Sequence, residues 1–305
     1  MGKSEMSFII VSFVILNKIT LKNELSPNNF LYKDTIIINF RSGGSVFISK
    51  DGKILKNNQK WTILYNNELY EFSGGTDGNC LSYYKTSFDN KKIGFIVGCE
   101  KEGYEVKLND GKISLGGDIV DFGILKNKAF IFVDGAIYIY DLKTNKEEKK
   151  IRNISELGMG KFLCNNNYCI FSDLTNKLII YDTLGNEVKK FYNQKWVYVS
   201  LLALNNDYLL FAHYNFKEGG FVNFVNLKNF SILFKKGMSY VEGDNTACLL
   251  KNYIILIDGE NIYKINFNGI VEEKMNLKTQ WIICSEHLIV SGGLDKDRNV
   301  YILKP

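Results

Sequence analysis

Proline and histidine are nearly absent from this chain of 305 residues, with two of each. Arginine is scarce as well, at Arg41, Arg152 and Arg298, the remaining basic residues being lysine. His213 and His287 have no cysteine, serine or second histidine at a motif spacing, which excludes a histidine-built metal site and a Ser–His nucleophile. Planar bidentate reading of base edges relies on arginine, so a sequence-reading nucleic-acid binder is disfavoured. No apolar run reaches the roughly 18–20 residues of a spanning helix. There is no C-x-x-C pair and no G-x-S-x-G elbow, and "GMGKF" (Gly158–Phe162) lacks the spacing of a phosphate loop. Catalytic residues, metal ligands and cofactors are therefore assigned to none.

What is present is apolar and aromatic: 46% of the chain is hydrophobic and 14% aromatic, enough for a substantial core. The residues fall into short runs rich in Ile, Val, Tyr and Phe, separated by turn residues. Asp-Gly pairs recur at Asp51-Gly52, Asp77-Gly78, Asp110-Gly111, Asp134-Gly135 and Asp258-Gly259, a dipeptide that suits tight hairpins. Helical periodicity is missing, so the fold class is all-β. Most of the six cysteines sit inside strand-like runs and read as buried free thiols of a reducing, cytoplasmic compartment. Cys164 meeting Cys169 across a hairpin is the alternative. Ser7–Leu16 resembles a signal-peptide core, but no small-residue cleavage site follows it; we read it as a strand.

The runs form an internal repeat. Segments from Ile124, Leu163 and Leu249 each read strand, Asn/Lys turn, strand, Asp turn, strand, polar turn, strand; the segment from Leu202 adds a longer central loop, "AHYNFKEGGF", in which His213 lies. Second strands centre near Phe130, Cys169, Leu209, Ile254 and Leu288, a spacing of 34 to 45 residues. That is the length of a four-stranded sheet with three tight turns. "NQKW" precedes Trp61 and Trp196, and "KTQW" ends in Trp281. On these anchors the repeats cover 29–57, 61–117, 118–152, 158–192, 196–236, 245–275 and 281–305, the second being overlong. The last supplies too few strands, and the N-terminal segment, 6–23, completes it.

With this pattern the chain resembles the β-propeller superfamily over essentially its whole length. "IYIYDLKTNKEEKK" (Ile137–Lys150) and "LIIYDTLGNEVKKF" (Leu178–Phe191) are similar to hairpins of quinoprotein-like repeats, without their terminal Trp. WD-repeat dipeptides are missing. The resemblance implies one domain, 1–305, most simply of seven blades (six or eight being the alternatives), closed by its N-terminal strand. It also implies an end face, carrying the turns between second and third strands, on which partners dock. Ser42-Gly43-Gly44, Ser73-Gly74-Gly75 and Ser291-Gly292-Gly293 fall on that face, with Arg41, Arg298, Trp61 and Trp281 beside them. Glycine pairs open backbone N–H groups to an anion or peptide, although they also simply turn a chain. Asp134, Asp173, Asp258 and Glu260 occupy matching turns and match no calcium loop. Lysine pairs at 149–150, 189–190 and 235–236 mark outer strands, where they oppose edge-to-edge pairing. The expected function is a noncatalytic protein-interaction scaffold with a protein partner. An enzyme or small-ligand binder at the channel mouth, and nonspecific nucleic-acid binding along the lysines, are the competing readings.

Overall fold

The structure, a computed structural model, describes residues 13–21, 29–40, 44–65, 68–72, 75–76, 80–86, 93–99, 103–108, 111–115, 117, 119–155, 157–238, 245–293 and 298–304. For 65, 72, 75–76, 80–86, 93, 95–99, 103–108, 111–112 and 114 it describes the backbone alone. Every regular element is a β-strand. β1 (Val14–Thr20) stands apart from its sequence neighbours. β2 (Phe30–Tyr32), β3 (Thr35–Asn39), β4 (Ser45–Ser49) and β5 (Ile54–Asn58) form a four-stranded sheet. β6 (Trp61–Tyr65) and β7 (Glu68–Phe72) form a two-stranded one. β8 (Gly75–Thr76), β9 (Cys80–Thr86), β10 (Ile93–Cys99), β11 (Gly103–Leu108) and β12 (Gly111–Ser114) form a five-stranded sheet. The overlong second repeat is thus divided between two sheets.

Regular four-stranded sheets then follow. They are β13 (Ile119–Leu125), β14 (Lys128–Val133), β15 (Ala136–Asp141) and β16 (Lys146–Ile151), and next β17 (Lys161–Cys164), β18 (Cys169–Ser172), β19 (Lys177–Tyr181) and β20 (Glu187–Tyr192). After them come β21 (Tyr198–Leu204), β22 (Tyr208–Asn215), β23 (Gly219–Asn226) and β24 (Ser231–Met238), and then β25 (Ala247–Leu249), β26 (Tyr253–Ile257), β27 (Asn261–Asn266) and β28 (Val271–Asn276). The last sheet is β29 (Trp281–Ser285), β30 (Leu288–Gly292) and β31 (Asn299–Lys304), and β1 is its fourth strand. β1 runs antiparallel to β31, with Lys18 opposite Tyr301 and Thr20 opposite Asn299. The second strands fall where the repeat places them, and the N-terminal segment supplies the fourth strand of the last sheet.

First strands of successive sheets lie side by side: β13 by β17, β17 by β21, β21 by β25, β25 by β29, and β29 by β2. Each of the sheets from β13 to β28 therefore covers both neighbours, and its middle strands are apolar on both faces. β14 shows the consequence. Phe130 and Phe132 pack toward Phe162, Phe171 and Tyr181 of the following sheet, while Ala129, Ile131 and Val133 pack toward Ile113 of the preceding one. The same division joins Ile170 and Ile180 to Val199 and Phe211, and Leu210 and Phe224 to Ile254 and Leu256. It also joins Ile255 and Ile262 to Ile282 and Ile289. Trp281, Val290 and Val300 of the last sheet share a cluster with Ile36, Ile38 and Val46 of the first. Each such side chain contributes about 1.5–3 kcal/mol.

Polar groups clip adjacent sheets where apolar contact ends. Asn39 donates to Thr62 O (3.1 Å) and accepts from Thr62 N (2.9 Å), extending the pairing of one sheet onto the next. Ser172 Oγ donates to Val199 O at 2.8 Å, and Phe162 N donates to Asp121 Oδ2 at 2.7 Å.

The free-thiol reading is overturned for the four cysteines whose side chains are described. Cys164 and Cys169 face each other across the β17–β18 hairpin and form a disulfide, with Cα atoms 4.1 Å apart. Cys248 of β25 and Cys284 of β29 form a second, with Cα atoms 6.1 Å apart, joining two neighbouring sheets. The hairpin pair follows from register. The other arises because first strands abut, which no spacing in the sequence announces.

Candidate interaction face

In an antiparallel meander the turns between second and third strands share one end with the connections from sheet to sheet. The turns after first and third strands lie at the other end. On the first of these ends, Gly44 and Gly292 show why glycine recurs. Gly44 has φ +85°, and a Cβ there would strike Asn58 O. A Cβ at Gly292 would strike the Trp281 ring and Asn299 O. Trp281 Nε1 donates to Gly293 O at 3.1 Å, and Ser291 Oγ donates to Trp281 O at 3.0 Å. Trp61 Nε1 donates to Phe40 O of the preceding sheet.

These contacts correct the expectation that Trp61 and Trp281 present their rings to a partner. Trp281 is 0% exposed and Trp61 6%. Each opens a first strand as expected, but its ring fills the seam and its N–H holds a turn. Ser291, Gly292 and Gly293 are buried too, and Gly44 likewise. Arg298 is exposed beside β31, and its carbonyl accepts from Leu21 N at 3.0 Å. Arg41, Ser42, Gly43, Ser73 and Gly74 lie outside the described residues, and Gly75 begins β8 as backbone alone.

The same end carries large apolar side chains that the sequence reading passed over. Phe216, in the β22–β23 turn, is 80% exposed, and Leu157, between β16 and β17, is 65% exposed. Met159 and Val197 accompany them, also exposed. Asn215 Oδ1 accepts from Lys217 N at 2.9 Å, closing the turn that carries Phe216, and the Phe216 ring lies edge-to-face with Tyr214, centroids 6.0 Å apart. Three residues after Leu157, Gly160 makes a close approach, where a Cβ would strike Phe171 and Phe132. Ile154 N donates to Gly135 O at 2.9 Å, anchoring that connection to the neighbouring turn. The available signal was a bulky apolar residue among turn formers, "LGMG" and "NFKEGG", where turn chemistry asks for polar ones.

His213 lies in β22, not in a loop, and is 3% exposed. Its ring stacks between Trp196 (4.5 Å) and Phe221 (5.3 Å). Asn223 Nδ2 lies 2.7 Å from its Nδ1; an amide nitrogen only donates, so Nδ1 accepts. Burial, followed by the charge of Lys235, pushes its pKa down to about 4. A shallow depression lined by Tyr198, Phe221 and Met238 opens beside it. Its cavity volume of about 10 Å³ is far below the roughly 300–1,000 Å³ of a usual ligand cavity.

The acidic turns are occupied structurally. Asp173 Oδ1 accepts from the N–H groups of Thr175, Asn176 and Lys177. Asp258 accepts from Asn261 N at 2.8 Å and from the Tyr263 hydroxyl at 2.7 Å, and burial together with that carboxylate raises Tyr263 to about 12. Outer-strand lysines lie over aromatic rings of the third strand: Lys18 over Tyr301, Lys56 over Phe47, Lys150 over Tyr138 and Lys274 over Tyr263. In all four the two residues are direct cross-strand partners.

Successive four-stranded antiparallel sheets, each packed against its neighbours through first strands, define a β-propeller. Two solved structures agree with this fold. Raptor from Chaetomium thermophilum matches 95% of this chain with a TM-score of 0.64 at 9% identity, this chain spanning 28% of that one. The computationally designed Ika8 protein matches 94% of this chain and 98% of its own, with a TM-score of 0.53 at 11% identity. BamB from Moraxella catarrhalis matches 96% of this chain and 100% of its own, with a TM-score of 0.48 at 14% identity. No protein-family model matches the chain, and no curated protein matches it in sequence.

Proposed function

We propose that the chain is a noncatalytic protein-interaction scaffold that docks a protein partner through the end carrying the β22–β23 turn and the β16–β17 connection. The observation behind this reading is the exposure of Phe216 and Leu157 on a rigid, clipped framework. Large apolar side chains raised above ordered backbone are what a docked protein buries at the centre of its interface. The exposed Arg298 supplies a charged contact at the same end, with Arg41 assigned the same role from its sequence position. In this reading residues 1–305 are one domain, a ring of seven blades, or of eight if the separate sheets β6–β7 and β8–β12 each count as one, with β1 completing the last.

The test is a pull-down from native extract, comparing the wild type with Leu157→Glu/Phe216→Glu and with Arg41→Ala/Arg298→Ala. The wild type retains a stoichiometric protein. The Glu pair loses it by about 30-fold or more, the cost of about 2 kcal/mol at a central contact, with an unchanged melting temperature. Full retention by the Glu pair refutes this face, and a bare wild-type eluate refutes the scaffold.

A further inference from the structure

A second surface lies at the opposite end, on the outer edge. β1 and β5 are the edge strands of two adjoining sheets. Asn17 Nδ2 donates to Asp51 O at 2.9 Å, and Asn17 packs where a side chain on Gly52 would sit, so β1 abuts the β4–β5 turn. Around that junction Val14, Ile15, Leu16, Ile54 and Leu55 are 47–59% exposed. The equivalent edge of β16 begins Lys146-Glu147-Glu148 instead, so the apolar edge does not follow from the fold. Lysines fringe it. Lys18, Lys50, Lys53 and Lys56 are all exposed, against one carboxylate, Asp51, in the same strands and turn. The pattern continues around the same end in three successive sheets before it, with Leu184, Ile232, Leu233 and Ile270 exposed at third-to-fourth-strand turns or at the start of fourth strands.

We infer that this edge is a docking surface for an anionic lipid membrane. A partner there has to accept aliphatic side chains over an arc of several sheets and offer negative charge to the lysines around β1 and β5. An anionic bilayer does both: acyl chains take up the aliphatic tips while headgroups neutralise the lysines. A second copy of the chain would bring the same lysines against this set, which charge repulsion opposes. The surface is separate from the protein-docking end, so each proposal stands or falls alone.

The experiment is co-sedimentation with phosphatidylcholine vesicles, with and without about 30% phosphatidylglycerol, an anionic headgroup fraction that sets the surface potential. Wild-type chain sediments with the anionic vesicles at least tenfold more than with neutral ones, and less as salt rises. Leu16→Glu/Ile54→Glu/Leu55→Glu abolishes this, and Lys18→Gln/Lys53→Gln/Lys56→Gln reduces it to the neutral level. Leu157→Glu/Phe216→Glu leaves it unchanged. These side chains are exposed, so the fold persists, and Ile54→Ser/Leu55→Ser gives a milder check read with the melting temperature. No sedimentation with anionic vesicles overturns the proposal, and so does undiminished binding by the first variant. A lipid-independent dimer that the same variant dissociates overturns it too, in favour of a second copy.

Discussion

His213 is stacked between Trp196 and Phe221, and its depressed pKa has a definite sign for stability. The unfolded chain binds a proton on this ring at about pH 6.5, while the folded chain resists until about 4. The contribution is therefore complete above 6.5 and is lost as pH falls from 6.5 through 4, by at most about 1.4 kcal/mol per pH unit. Urea unfolding of the wild type against His213→Phe checks this. Phenylalanine keeps the stack and gives up the bond to Asn223, so the variant starts less stable but lacks this share of the acid slope. Parallel curves for the two proteins would contradict it. The residue also marks a limit of reading sequence. "AHYN" looks like a loop because it breaks the apolar run, yet both faces of β22 are covered by neighbouring sheets, so the strand runs on through it. Phe216, three residues later, does lie in the turn that the sequence places there, and it points outward.

At the level of the strand, the repeat is more regular than its sequence. The third and fourth strands of six sheets share a register shift: at Phe47/Ile48, Ile139/Tyr140, Ile180/Tyr181, Phe224/Val225, Lys264/Ile265 and Ile15/Asn17. A bulge bends and twists an outer strand, and its recurrence is a structural period that no single motif spells out. Turn chemistry and strand centres were legible because they depend on neighbours in the chain. The disulfide between β25 and β29 depends on neighbours in space and was not. Its cysteines are 36 residues apart, against 5 for the β17–β18 pair. Closing the longer loop removes more unfolded-state entropy, so Cys248→Ser/Cys284→Ser costs about 3–4 kcal/mol and Cys164→Ser/Cys169→Ser about 2. Chemical denaturation of both pairs reads the order. Alkylation without reduction, followed by peptide mass analysis, leaves all four thiols unlabelled in the native protein; labelled thiols would refute the pairing.

For the molecule as a whole, the last sheet is the vulnerable one, because its fourth strand comes from the other end of the chain. Phe13 and Leu21, flanking β1, are buried in two of the inter-sheet clusters. Deleting residues 1–21 removes both and uncovers the edge of β31. Losing the two buried side chains alone costs about 3–6 kcal/mol, and an uncovered edge strand promotes association. A lower melting temperature with rising light scattering is the expected result, and an unchanged melting temperature would show β1 to be dispensable. This dependence was legible early, since "NVYILKP" leaves the last repeat short of strands. The place of β1 was read less well, because either half of the N-terminal segment could pair and the strand chosen straddles both.

That pairing also sets a clock. Thr20 donates to Asn299, 279 positions further along. At a synthesis rate of roughly 5–20 residues per second, about 15–60 s separate the emergence of the two strands from the ribosome. Earlier sheets can assemble from consecutive segments as they appear, while β1 waits unpaired until β31 has been made. A ribosome that stalls before β31 releases a chain in which β1 has nowhere to go.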